Sequence, residues 1–132
     1  MNVQTDHANP LRFSQEAQTF VSIMHDLAPA LSLDYTAQSI QALEQFIAQT
    51  FDPPGSRYVG DSLIIGLGCY VGEVIVRLLG GRWSVEGKPE INGLGQIQAV
   101  FPLEKVKKRF QNGSEDSLIS YWATVERYSR RT

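Results

Sequence analysis

Residues 61–83 read DSLIIGLGCYVGEVIVRLLGGRW, and the fold turns on how that stretch is interpreted. Between Leu63 and Leu79 stand a single acidic side chain, Glu73, and a single basic one, Arg77. Leu63, Leu67, Tyr70, Val74 and Leu78 recur at helical spacing, and Ile64, Val71, Ile75 and Leu79 form a second apolar row beside them. A helix apolar on nearly every side is a buried one. The pattern therefore predicts a central core helix that starts between Arg57 and Asp61 and stops at Gly80-Gly81, with Leu67, Val71, Val74 and Leu78 in the core. The run is too short, and too interrupted by Glu73 and Arg77, for a membrane span. Gly66, Gly68 and Gly72 lie inside it, each costing about 0.5–1 kcal/mol relative to alanine. Close packing is the expected compensation, because Gly68 and Gly72 stand one turn apart and leave a groove for a neighbour.

Two helices are expected before it. From Ser14, a plausible N-cap, Ala17, Phe20, Val21, Met24 and Leu27 make one apolar stripe that Pro29 closes. From about Asp34 to Phe51, Ile40, Leu43, Ile47 and Phe51 make another, widened by Phe46. Its outward positions are Gln, Ser and Thr, with Glu44 the one charge between Asp34 and Asp52. Asp52-Pro53-Pro54-Gly55 breaks the chain.

After the central helix, Arg82 to Glu86 reads as a short strand and Gly87 to Gly95 as turn. Gln96 to Val100 alternates and reads as a second strand, antiparallel to the first. Pro102 opens a helix as its N1 residue, with Leu103, Val106 and Phe110 inward and Lys105, Lys107, Lys108 and Arg109 outward. Asn112-Gly113 stops it. Ser114 is the expected cap of a last helix, with Glu115 and Asp116 in its first turn and Leu118, Tyr121, Trp122 and Val125 buried. The expected architecture is α+β: about five helices around a central buried helix, with a small antiparallel β-hairpin.

A chain of 132 residues predicts one domain, residues 1–132, with residues 1–12 as a flexible arm. Hydrophobic content of 42% and charged content of 20% are those of an ordinary globule. The net charge of −2 favours neither nucleic acid nor an anionic membrane as partner. Its distribution is uneven, since residues 1–100 carry five Lys/Arg against ten Asp/Glu and residues 101–132 carry seven against four. One cysteine, Cys69, allows no intrachain disulfide and no thiolate metal site. MNVQTDHANP lacks the basic and apolar regions of a signal peptide, so a cytoplasmic location is expected.

Glu73 is the residue of greatest chemical interest, because a carboxylate inside a buried helix must be paired or hydrogen-bonded. Arg77 lies one turn on, and Arg82 and Trp83 follow the helix end. Two readings stand side by side. Glu73 could clasp helix to strand through an arginine or an indole N–H, or act as a general base or ligand anchor with a perturbed pKa. No second carboxylate or histidine lies nearby in sequence to work with it. His7 and His25 have no cluster of Asp, Glu or Cys around them, so neither a metal nor any other cofactor is expected. Cys69, deep in the apolar run, reads as packing rather than nucleophile. The glycines show no strand-to-loop boundary of the phosphate-binding kind, and Gly87-Lys88 lacks an earlier glycine at the required spacing. Lys105, Lys107, Lys108, Arg109, Arg127, Arg130 and Arg131 could meet phosphates or an acidic protein, but read first as a solvated face and tail.

Gly68-x-Tyr70-x-Gly72-Glu73-Val74, then Gly80-Gly81-Arg82-Trp83, then Phe101-Pro102, Val106, Arg109-Phe110 and Asn112-Gly113 resemble a bacterial domain family of unknown function. In that family a Gly-rich helix bearing G-E-V leads into a G-G-x-W strand. The resemblance covers residues 60–125 and implies a bacterial, cytosolic protein. It implies no activity, cofactor or catalytic residue.

Two classes of function follow. The first is a non-enzymatic protein-interaction or accessory module, of which an inhibitor or immunity-type protein is one form. It rests on the lack of a recognisable catalytic set and on the weakly charged outer face of the second helix. The alternative is a small-ligand-binding protein or enzyme whose pocket lies near Tyr70, Glu73, Arg82 and Trp83.

Overall fold

Five α-helices and one short hairpin make up the residues that the computed structural model describes, 11–53, 59–85 and 87–129. In chain order they are α1 (Leu11–Leu27), α2 (Ala37–Thr50), α3 (Asp61–Leu79), β1 (Arg82–Ser84), β2 (Glu90–Asn92), α4 (Pro102–Asn112) and α5 (Leu118–Ser129), with a 3-10 turn at Gly113–Asp116 before α5. This is the expected α+β arrangement. The expectations for residues 1–10, for Pro54-Gly55 and Arg57, for Glu86 and for Arg130 and Arg131 fall outside the described residues.

Helix α3 is the organising element. Every residue from Gly66 to Ile75 is buried. Burial ends there, so Leu78, expected in the core, is 49% exposed. By length and mean hydropathy α3 could cross a bilayer, yet 56% of its apolar window is buried inside the protein. Packing accounts for the apolarity of its central residues, Gly66 to Ile75.

The glycines of α3 are docking notches, each for a different neighbour. A Cβ on Gly66 would stand 3.0 Å from the Phe20 ring of α1, and one on Gly68 would stand 2.8 Å from the Leu103 Cα of α4. One on Gly72 would overlap the Trp83 indole. Phe20 lies against Gly66 while Phe13 stacks on the Trp83 ring that fills Gly72, with centroids 4.2 Å apart, so α1 runs antiparallel to α3. The spacing of Gly68 and Gly72 thus admits two neighbours rather than one.

The flanking helices differ from expectation mainly at their ends. Helix α1 begins at Leu11, so Ser14 sits inside it and Leu11 and Arg12 are not part of an arm. Its buried stripe is Phe13, Ala17, Phe20 and Met24, and Leu27 is 74% exposed. The stripe starts one turn early because Phe13 has Trp83 to stack on. Helix α2 begins at Ala37 rather than Asp34, since Thr36 supplies the N-cap and accepts from the Ser39 N–H at 3.2 Å.

The strand partner also differs. β1 pairs with Glu90–Asn92, not with residues 96–100, in the register Trp83 opposite Ile91. Ile91 is fully buried and packs over Gly81, where a Cβ would stand 2.6 Å from its Cγ2. Residues 96–100 contribute only single bridges, with Val100 exchanging two 2.9 Å backbone bonds with Ile91. Pro102 opens α4 at its first position, and Gly113 closes it at φ 75°. Ser114 is not the cap of α5. Ser117 Oγ accepts from the Ile119 N–H at 3.1 Å, and Glu115 and Asp116 stay in the preceding turn.

Candidate functional site

Of the residues singled out by sequence, Tyr70, Glu73 and Trp83 fall along one polar seam through the core, and Arg82 does not. Glu73 is buried on α3, and both its oxygens are engaged. Oε2 accepts from the Trp83 indole N–H at 2.9 Å, and Oε1 accepts from Arg77 Nε at 3.4 Å. The strand must return alongside α3 to bring Trp83 there, and Gly80, at φ 89°, lets the chain make that turn. Arg82 is not brought to the carboxylate. It is exposed, and its guanidinium lies against Gly93.

The seam continues away from Glu73. The Arg77 guanidinium stacks 3.6 Å from the centre of the Tyr35 ring, a cation–π contact. Tyr35 takes a left-handed backbone at φ 63°, and its N–H donates to Tyr70 Oη at 2.9 Å. Tyr70 Oη also bonds Ser39 Oγ at 2.6 Å. Burial raises the pKa of both phenols, opposed at Tyr35 by Arg77 and at Tyr70 by the Ser39 bond. Tyr70, Glu73 and Trp83 are thus members of one network, and each spends its polar atoms on another residue of the protein.

A second buried cluster escaped the sequence reading. Arg109, expected on the outer face of α4, is 0% exposed, and Glu44, expected on the surface of α2, is buried too. Arg109 Nε donates to Glu44 Oε2 at 2.9 Å, while its Nη1 and Nη2 form a two-pronged pair with Asp52 at 3.0 and 2.8 Å. Glu44 Oε1 also accepts from the Leu118 N–H at 2.9 Å, which puts a carboxylate on the first turn of α5. The hydrogen bond to Asp52 comes first among the causes that push the Arg109 pKa above its ordinary value. A signal was present in the sequence. Pro102, Val106 and Arg109 share one face of α4, and Ile40, Leu43, Glu44 and Ile47 share one face of α2.

Cys69 is buried, and burial pushes its thiol up to about 12, which removes the thiolate that a nucleophile needs. Among the described residues no three His, Cys, Asp or Glu side chains come together as a metal site would require. Helix α2 presents a different kind of surface. With Glu44 turned inward, its exposed positions include Gln38, Gln41, Gln45 and Gln49 and no charge. Beside them a shallow groove of about 160 Å³ is shared with Ile119 and Trp122 of α5. No protein-family model matches the chain, and neither the curated proteins nor the solved structures yield a match.

Proposed function

We propose that the chain is a non-enzymatic interaction module, cytoplasmic and bacterial, that meets a protein partner through the outer face of α2 and the adjoining side of α5. One observation carries this reading: the outer face of α2 has no charged side chain, because its single carboxylate is spent on Arg109 inside. Docking on four glutamines strips water from amides rather than from ions, and the centres of protein interfaces are depleted in charge for that reason. Ile119, which is exposed, and the Ile40–Trp122 groove supply apolar area next to that row. The closed state of the polar seam supports the same reading. A Glu73 that already accepts from Trp83 and Arg77 has no free oxygen aimed at a substrate proton.

The test is site-directed photo-crosslinking in the native host, with the reactive side chain placed at Gln45 or, as control, at Lys107. A discrete protein adduct from Gln45 alone, lost on Gln41→Glu, is the expected result. No discrete adduct at Gln45, or the same adducts from both positions, refutes the proposal.

A further inference from the structure

A groove of about 390 Å³ lies on another face, between the hairpin loop, the start of α4 and α5. Its size is that of a small-molecule site. Among the described residues Lys88, Lys105 and Lys108 line it with two carboxylates, Glu104 and Asp116, which leaves one lysine charge in excess. Val100 and Phe101 add an apolar wall. The lysines are not equally committed. Lys105 is held at 2.9 Å by Asp116, which Asn112 also holds at 2.7 Å. Lys88 reaches Glu104 at 3.1 Å across an exposed gap, the kind of ion pair that opens readily. Lys108 is exposed and makes no ion pair among the described residues. In the same wall stands Tyr121, whose Oη is buried and has no hydrogen-bond partner among the described residues.

From the excess lysine charge beside an apolar wall we infer that this groove is a binding site for a small amphipathic carboxylate. Lys108 meets the carboxylate, and Lys88 swings from Glu104 to join it. The hydrocarbon body lies on Val100 and Phe101. A bare inorganic anion fits worse, because it leaves the apolar wall wet and meets only one net positive charge. The site is independent of the α2 face and stands or falls separately from it.

Amide shifts of the isotope-labelled full chain, followed by NMR during titration with octanoate, acetate and inorganic phosphate, test the assignment. Octanoate is expected to move amides within residues 99–108 and 116–121 and to bind more tightly than the other two. Lys108→Met should weaken it about tenfold or more, the loss of one charge-assisted contact, while Lys107→Met, next door but outside the groove, should not. Shifts confined to other regions, equal binding of phosphate and octanoate, or equal effects of the two lysine substitutions would overturn it.

Discussion

Arg109 and Glu44 are 65 residues apart in the chain and meet in the core at 2.8 Å, with the guanidinium fully buried. Around that contact α2, α4 and the first turn of α5 are fixed to one another, and Asp52 ties in the residues that follow α2. Taking these charges out of water is costly, so once buried each depends on the other.

Arg109→Met should therefore destabilise by about 3–5 kcal/mol, because it leaves Glu44 charged, buried and without its arginine. The double variant Glu44→Leu with Arg109→Met should recover a large part of that loss, although the Leu118 N–H then lacks its acceptor. Urea denaturation of the two single variants and the double variant gives the coupling directly. Additive losses would mean that the pair is not the unit described.

Alkaline pH should weaken the fold through its tyrosines, in addition to the buried Cys69 thiol. Tyr35, Tyr70 and Tyr121 all have pKa values raised by burial above the ordinary 10.0. The unfolded chain then loses its phenolic protons at lower pH than the folded one. The tyrosine contribution is complete below pH 10.0 and falls as pH rises from there toward the folded values. Tyr121→Phe removes a buried hydroxyl with no partner among the described residues, so it should leave neutral stability unchanged or raise it by about 1 kcal/mol. It should also soften the alkaline loss. Melting curves across that range check both.

At the acid end Asp116 gives a local readout. The Asn112 hydrogen bond, then that of Lys105, holds its pKa below the ordinary 3.8. A depressed carboxylate contributes above its unfolded value and loses that contribution as pH falls through the folded one. Asn112→Ala should move the Asp116 titration, followed by carboxyl carbon NMR, up toward 3.8. A larger upward move for Lys105→Met would reverse the order of the two causes.

Glu73 distinguishes a clasp from a reactive group. Glu73→Gln retains an oxygen for the Trp83 indole and should keep the fold with a small loss. Glu73→Leu strands that buried N–H and should cost about 1–3 kcal/mol more. Arg77, already half in water over Tyr35, adds little to the difference. Equal stabilities of the two variants would show that the indole does not depend on the carboxylate.

Sequence alone revealed α3 because an apolar run bounded by Gly80-Gly81 has few alternatives, and Glu73 because a carboxylate there needs a partner. It did not reveal β2, since Glu90–Asn92 is three residues long with only Ile91 turned inward, too short for alternation to register. Glu44 and Arg109 were assigned to the surface by charge although each sits in the core-facing row of its helix. Position along the stripe was the better guide, and the partner lay too far away in the chain to suggest itself. The α2 face was legible as weakly charged, and the inward turn of Glu44 makes it charge-free. The lysine-lined groove was not legible, because it is assembled from residues 88, 99–101, 104, 105, 108, 116 and 121 only when the hairpin folds against α4 and α5.

Alanine at the three buried glycines of α3 should give three different answers, because one favourable term is common and the unfavourable one is not. In a helix interior Gly→Ala gains about 0.5–1 kcal/mol from backbone entropy alone. At Gly66 the new methyl meets the Phe20 side chain at 3.0 Å, which a small shift of α1 relieves, so the gain and the strain should nearly cancel. At Gly68 it meets the Leu103 Cα at 2.8 Å, backbone that Pro102 and the start of α4 hold in place. There overpacking of about 1–3 kcal/mol should exceed the entropic gain. At Gly72 the methyl overlaps the Trp83 ring, which is pinned by Glu73 on its N–H and by Phe13 on its face, so the ring cannot give way without breaking both contacts. Gly72→Ala should be the most damaging of the three, and it should change Trp83 fluorescence as well as the denaturation midpoint. If Gly72→Ala proved no worse than Gly66→Ala, the indole would not be held as described, and the clasp between α3 and β1 would lose its structural basis.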